Sequence, residues 1–319
     1  MENDEYSHII QLPSRVDHQS LLWVIGQAID SEKKPLFSSC TIDFSKVRFI
    51  TPTGVVALAN VTDVLFRHHV DLGFKLPSHV DPFSGVLRPA RRECPVDFLD
   101  DCGFFELYFG QRLRAGSCTS RTAISVRRLY PEQSADWMLN VVIPWLDASL
   151  GFEVEKRFPE LNMCVTEIMN NARDHSGDDI ACAFFQHYPK KHTVEFAISD
   201  FGIGIPNKVR TQEPRHVQDH LAILRATEEG FSTKSTPRNR GAGLDILVNL
   251  VVGNNGGELL IASLNGFAHF TQGPDGAIVR ASDDNSSHPY PGTLLSVTLK
   301  TDTLPEEDLT EEVFEWNKL

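Results

Sequence analysis

The chain has 319 residues, 30 lysines and arginines against 43 aspartates and glutamates, and a formal charge of −13 at neutral pH. With 41% hydrophobic and 23% charged residues it has the make-up of a globular protein that buries a core, which excludes disorder throughout, and its length suggests two domains. So acidic a surface repels polyphosphate backbones, so nucleic acid is not an expected partner.

The six cysteines form no Cys-x-x-Cys pair and none has zinc-ligand spacing to a histidine, so they read as reduced thiols of a cytoplasmic protein rather than as staples or metal ligands. The amino terminus, MENDEYSHII, has no basic region followed by an apolar stretch, so no signal peptide is expected. No apolar run approaches ~18 residues, and no membrane helix is predicted.

Ile9–Leu12 predicts a short strand, and Leu21, Leu22, Val24, Ile25 and Ala28 a helix. Cys40–Ile50 alternates and is rich in β-branched residues, predicting one strand that runs through Thr51-Pro52-Thr53-Gly54 into a helix over Val55–Phe66. His68-His69 would end that helix, where a cation suits the dipole. Asp71–Leu76 predicts a strand and Val96–Phe109 a helix broken at Gly103. Residues 1–115 are therefore expected to form a small α/β module.

In the second half, Thr122–Leu129 predicts a strand, Ala135–Leu150 a helix, and Pro159 the start of another helix with Leu161, Val165, Ile168, Met169 and Ala172 at helical spacing. Ile180–Phe185 and Thr193–Ser199 predict a pair of strands. A glycine-led helix, Gly243–Val252, and strands Glu258–Ser263 and Leu294–Lys300 complete a domain over residues 120–301. Residues 302–319 carry seven acids against one lysine, a charged tail that could coil into an amphipathic helix through Leu309, Val313 and Trp316.

Four elements of the second half suit one ligand. Glu167, Asn171 and His175 are spaced by four, which places them on one helix face. A carboxylate one turn from a carboxamide offers a base beside a neutral oxygen ligand, and magnesium favours such hard oxygens while keeping waters and phosphates as further ligands. Ser199-Asp200-Phe-Gly202-Ile-Gly204 ends an apolar strand with a carboxylate able to accept from an exocyclic amine, followed by glycines that leave bare backbone for a flat base. Arg240-Gly241-Ala242-Gly243-Leu244 feeds a helix whose free amides suit phosphate, and Gly230–Asn239, with Lys234 and Arg238, reads as a lid. Gly292-Thr293 opens the last strand with a hydroxyl.

These four segments, in this order, resemble the N, G1, G2 and last boxes of the GHKL superfamily of Bergerat-fold ATPases and kinases, over residues from about 120 to 300. Asn255-Gly256-Gly257-Glu258 with Ser263 is similar to the turn and strand that follow its G2 box. The resemblance implies a two-layer α/β sandwich with a mixed sheet, and Mg-ATP as the cofactor. Asn171 would ligate magnesium, Asp200 would read the adenine amino group, Gly202 and Gly204 would shape the base pocket, and Gly241 and Gly243 would present amides to phosphate. His175, Lys234, Arg240, Leu244 and Thr293 complete the expected cofactor contacts, and Glu167 is the expected catalytic acid–base group.

Phe44–Val55, with Thr53-Gly54 at its turn, and Leu99-Asp-Asp-Cys-Gly103-Phe104 resemble the STAS domains of anti-sigma-factor antagonists. That implies an α/β (α+β) fold class overall, an STAS-like module followed by the ATP domain. Thr53 is either a phosphate acceptor or the cap of the helix beginning at Gly54. The expected activity is an ATP-driven regulatory switch that hydrolyses ATP and alters contacts with a protein partner or a second copy. The alternatives are a Ser/Thr kinase of the anti-sigma type acting on an STAS-like partner, and a nucleotide-sensing scaffold without turnover. His216 and His220 lack the glutamate of a zinc protease and are expected on an exposed lid face.

Overall fold

The computed structural model describes residues 8–78, 80, 94–157, 159–174, 180–215, 218–231, 243–274, 276–284 and 288–302. The first half comprises β1 (His8–Gln11), β2 (Arg15–Val16), α1 (Leu21–Gly26), β3 (Ser39–Asp43), β4 (Phe49–Ile50), α2 (Pro52–Arg67), β5 (Asp71–Lys75), α3 (Pro95–Asp101) and α4 (Phe104–Phe109). The second comprises β6 (Ala123–Arg128), α5 (Pro131–Trp137), α6 (Ile143–Leu150), α7 (Val154–Arg157), α8 (Pro159–Asp174), β7 (Ala181–Tyr188) and β8 (Thr193–Asp200). It continues through α9 (Ile205–Gln212), α10 (Asp219–Ala226), α11 (Leu244–Val248), β9 (Glu258–Leu264), β10 (Gly266–Gly273), β11 (Gly276–Asp283) and β12 (Tyr290–Lys300). The α/β class expected from the sequence is the class observed. No helix among the described residues is long and apolar enough to cross a membrane.

The first half contains a parallel sheet, β1-β3-β5, and a small parallel pair, β2-β4. The single strand expected over Cys40–Ile50 is two. Asp43 Oδ1 accepts from Ser45 N at 2.8 Å, a side-chain turn that outcompetes continued alternation, and the chain re-enters extended structure only at Phe49 to pair with β2. Helix α2 begins at Pro52 with Thr51 as its cap: the Thr51 hydroxyl accepts from Gly54 N. The cap expected of Thr53 thus belongs to Thr51; Thr53 is itself buried, its hydroxyl 2.7 Å from that of Thr51. Gly103, at φ +77, separates α3 from α4 where the break was expected.

The second half is built on a seven-stranded sheet of order β11-β10-β9-β12-β8-β7-β6. Every neighbouring pair is antiparallel, so the mixed sheet expected from the resemblance is not what forms. The helical crossover from β8 to β9 does return the chain in the same direction, but β12 inserts between those two strands and runs opposite to both. Two strands beyond those expected, β10 and β11, follow β9, the first of them after a turn at Asn265. The helix expected over residues 135–150 contains a π-helical turn at Met138–Val142, directly before Pro144, which has no N–H to give to the regular ladder. The amphipathic helix expected beyond residue 302 lies outside the described residues.

Each face of the sheet's central strands is covered. On one, Ala183, Phe185, Phe196 and Ile198 pack with Met138, Leu146, Val165 and Met169; Phe185 and Phe196, paired across β7 and β8, stack at 4.8 Å. On the other, Cys182, Phe184, Ala197 and Phe201 share a core with Val55, Val61 and Val64 of α2 and with Ile10 and Ile42 of the small parallel sheet. Residues 52–65 of α2 are all buried, as expected of a helix that serves as a layer between elements rather than as a surface.

Two polar side chains of α2, Asp63 and Asn60, bond across that boundary. Arg128 of β6 makes a forked ion pair with Asp63, its Nη2 at 2.6 Å and its Nε at 3.0 Å from the carboxylate, and its guanidinium lies over the Tyr108 ring. Asn60 Nδ2 donates to Ser199 Oγ at 2.8 Å. Asp63 is almost fully buried while Arg128 sits at the rim. Arg128→Ala therefore strands a buried carboxylate and is expected to cost about 2–4 kcal/mol, read from urea unfolding; an Asp63→Leu/Arg128→Met pair is expected to cost less. Equal losses for the two variants would remove the ion pair as the anchor.

Candidate functional site

Helix α8 carries the first expected segment. Leu161, Cys164, Val165, Ile168 and Met169 are buried toward the sheet, leaving Glu167 half-buried on the flank. Asn171 follows one turn later on the same helix. The side chain of Asn171 and all of His175 lie outside the described residues. Helix α8 packs against both β8 and α11. Glu167, Asp245 and Glu160 all act on the buried Cys164 thiol, which burial first and these carboxylates second push up to about 12. The first turn of α11, through Asp245, therefore lies beside the acidic flank of α8. Asp245 is a residue the sequence did not single out.

Of the glycine-rich segment, Gly243 and Leu244 are described. Gly243 precedes α11 with open space where a side chain would stand, and Leu244 is partly buried against the core. Lys234, Arg240 and Gly241, with most of the expected lid, lie outside the described residues.

The aspartate segment is the best-defined part of the site. Asp200 is the last residue of β8, opposite Thr293 of β12 and Ala181 of β7. Its Oδ1 accepts from Gly202 N at 2.7 Å, and the Thr293 N–H also points to its carboxylate. Ser263, at the end of β9, ties the neighbouring strands together: its hydroxyl donates to Gly292 O at 2.7 Å, accepts from Ile205 N at 2.9 Å, and lies 3.3 Å from Thr293 Oγ1. The glycines are dictated by this crowding. A side chain at Gly204, which has φ +79, would meet Ser263 Oγ at 2.9 Å, and one at Gly292 would meet Asp200 O at 2.3 Å.

Thus Asp200, Gly202, Gly204 and Thr293 are brought together, and Glu167 and Leu244 are carried by helices that pack against each other. Among the described residues no group of three or more His, Cys, Asp or Glu side chains is placed to hold a metal ion. Two cavities adjoin the Asp200 segment from the side of the first half. One of about 300 Å³ is bounded by Ile29, Lys33, Gly202, Asn207, Leu264 and Pro291; one of about 110 Å³ lies between Lys33, Arg67, His68 and Phe201. Neither is lined by Glu167 or Gly243. His220, expected on an exposed face, is instead mostly buried and paired with Asp283 at 2.9 Å, because α10 packs on the β10–β11 hairpin; His216 lies outside the described residues.

Burial pushes the Asp200 carboxyl up to about 7, against the pull of the Gly202 and Thr293 amides and of Lys33 and Lys208. In the unfolded chain the group ionises near 3.8, so the contribution it makes to stability is complete below pH 4 and is lost as pH rises toward 7. Asp200→Asn cannot ionise. Its unfolding free energy in urea titrations is expected to gain on that of the unmodified, ligand-free protein between pH 5 and pH 8, by a few kcal/mol at most. A difference that stays constant with pH would remove the buried-charge assignment.

No protein-family model matches the chain, and neither a curated protein nor a solved structure matches it at a significant level.

Proposed function

We propose that this chain binds Mg-ATP as a GHKL-type nucleotide switch and hydrolyses it, with binding coupled to contacts with a protein partner or a second copy. The observation that carries this reading is the Asp200 node. A buried carboxylate, oriented by two backbone amides and flanked by obligatory glycines, is an acceptor in search of a donor, and an adenine amino group is a donor that lies flat against bare backbone. A charge that costs the empty protein stability is the kind of group that functional sites retain.

Within this reading Asp200 holds the base, with Thr293 and Ser263 fixing the carboxylate in register. Glu167, half-buried on the flank of α8, would take a proton from the attacking water, Asn171, one turn away on α8, would be the residue to hold the metal, and the backbone at Gly243, ahead of α11, would serve the phosphates. Magnesium, when bound, neutralises phosphate charge during transfer. Phosphorylation of Thr53 within the same chain finds no support, because its hydroxyl is buried and bonded to Thr51.

The test is to incubate the purified chain with γ-labelled ATP and magnesium. Phosphate release that falls by at least about a hundredfold in Glu167→Gln, with ATP still bound, is the expected outcome. Label transferred to an added STAS-like protein would replace hydrolysis by kinase activity, and binding without turnover would leave a sensor. Asn171→Ala is expected to abolish the extra thermal stabilisation that magnesium adds to ATP. Absence of any ATP binding would overturn the reading.

A further inference from the structure

The connection between α1 and β3 contains a tight turn, Asp30–Lys34. Asp30 Oδ1 accepts from the amides of Glu32 at 2.8 Å and Lys34 at 2.9 Å, while Lys33 N donates to Asp30 O and Asp30 N to Lys34 O. Lys33 occupies the left-handed region, at φ +64, where glycine or asparagine would be the less strained choice. A lysine kept at such a position invites the question of what its side chain does. It reaches across the boundary between the two halves and donates to Phe201 O at 2.9 Å and to Gly202 O at 2.7 Å.

Those two carbonyls belong to the residues immediately after Asp200. The same segment is braced a second time from the first half, because Asn60 of α2 donates to the Ser199 hydroxyl, which in turn is hydrogen-bonded to the Tyr290 hydroxyl. The strand end that carries the candidate base-reading carboxylate is therefore held between β12 and β7 and braced further by two side chains from the first half.

We propose that Lys33 is a positioning residue for nucleotide binding, holding the Phe201 and Gly202 carbonyls so that Gly202 N stays on the Asp200 carboxylate, and that it thereby couples the first half of the chain to the nucleotide site. This inference rests on the nucleotide reading above. Its reasoning is local. A carboxylate oriented by the amide of the second residue along its own chain is only as well placed as the peptide that carries that amide; the carbonyl of that peptide is Phe201 O, the carbonyl of the next is Gly202 O, and an ammonium group bonded to both restrains the Gly202 amide from either side. By linkage, a ligand that tightens on an ordered segment also tightens the turn that orders it.

The experiment compares the unmodified chain with Lys33→Met and Lys33→Arg, each first shown to retain its far-UV circular dichroism and a cooperative urea transition. Affinities for ATP and GTP are measured with magnesium present, and amide exchange is followed in peptides covering residues 29–35 and 199–206. The expected result is an ATP affinity reduced roughly tenfold or more in Lys33→Met, with GTP affinity unchanged, ATP preference restored by Lys33→Arg, and exchange at 199–206 raised in ligand-free Lys33→Met. ATP is also expected to slow exchange at 29–35 in the unmodified chain. A lysine that merely supported the fold would lower the urea midpoint without narrowing the preference for ATP over GTP. If the unmodified chain binds ATP and Lys33→Met binds it equally well, or exchange at 199–206 is unmoved, the positioning role is overturned while the nucleotide reading stands. If the unmodified chain binds no adenine nucleotide, the nucleotide reading falls and this role falls with it.

Discussion

The burial of α2 between two cores is the constraint on which the rest of the structure depends. A helix dry along residues 52–65 has no solvent to accept its polar groups, so its polar side chains turn to partners in the layers it touches or back onto the helix itself. Asp63 finds Arg128 of β6, and Asn60 finds Ser199 of β8. Thr62 turns back onto Leu58 O within the helix. These contacts turn an apolar cover, which is indifferent to register, into one with a defined register against the sheet. The two halves of the chain consequently share a core, rather than meeting only at a polar seam.

That arrangement explains where the candidate site stands. Asp200 ends a central strand of the sheet, at a place where β7, β12, the Gly202–Ile205 loop and the Asp30–Lys34 turn all converge. A carboxylate there is buried from every direction yet oriented by fixed amides, the combination that makes a group costly in isolation and selective for a ligand that can donate to it. Strained backbone collects in the same neighbourhood, with the non-glycine residues Leu264 and Lys33 at positive φ beside Gly204, which adopts it freely. Elsewhere charge is spent on architecture. Buried Arg114 is surrounded by Asp97, Asp100 and Asp101, so the acidic Asp-Asp pair ahead of Gly103 closes the α3 region rather than facing a partner.

Much of the backbone was legible because it rests on local rules. Gly103 announces a break and Pro159 a helix start, each through a restriction on φ or on donor capacity that operates within a few residues, whereas α2 starts at Pro52, three residues ahead of the expected Val55. The strands missed, β10 and β11, have little apolar alternation to declare them; β11 is a largely exposed edge strand and gains its order from pairing with β10. The helices α9 and α10 were likewise hidden in a polar stretch, because each needs only a few apolar residues, Pro206 and Val209 or Ala222 and Ile223, to dock. The split of Cys40–Ile50 escaped notice since a side-chain turn at Asp43 leaves the alternation of residue types intact.

The sequence by itself determined the α/β class, most element positions and Asp200, Gly202 and Gly204 as one segment, because turn glycines and strand-terminal acids carry their signal in adjacent residues; Thr293 joined them only through the family resemblance. Only the tertiary structure decided that the seven-stranded sheet is antiparallel throughout, that α2 covers its second face, that Lys33 and Ser263 stand beside the Asp200 segment, and that Asp245 stands beside the flank of α8. Their contacts span tens to well over a hundred positions of chain, and a lysine bonded to carbonyls 168 and 169 residues away leaves no periodicity to read.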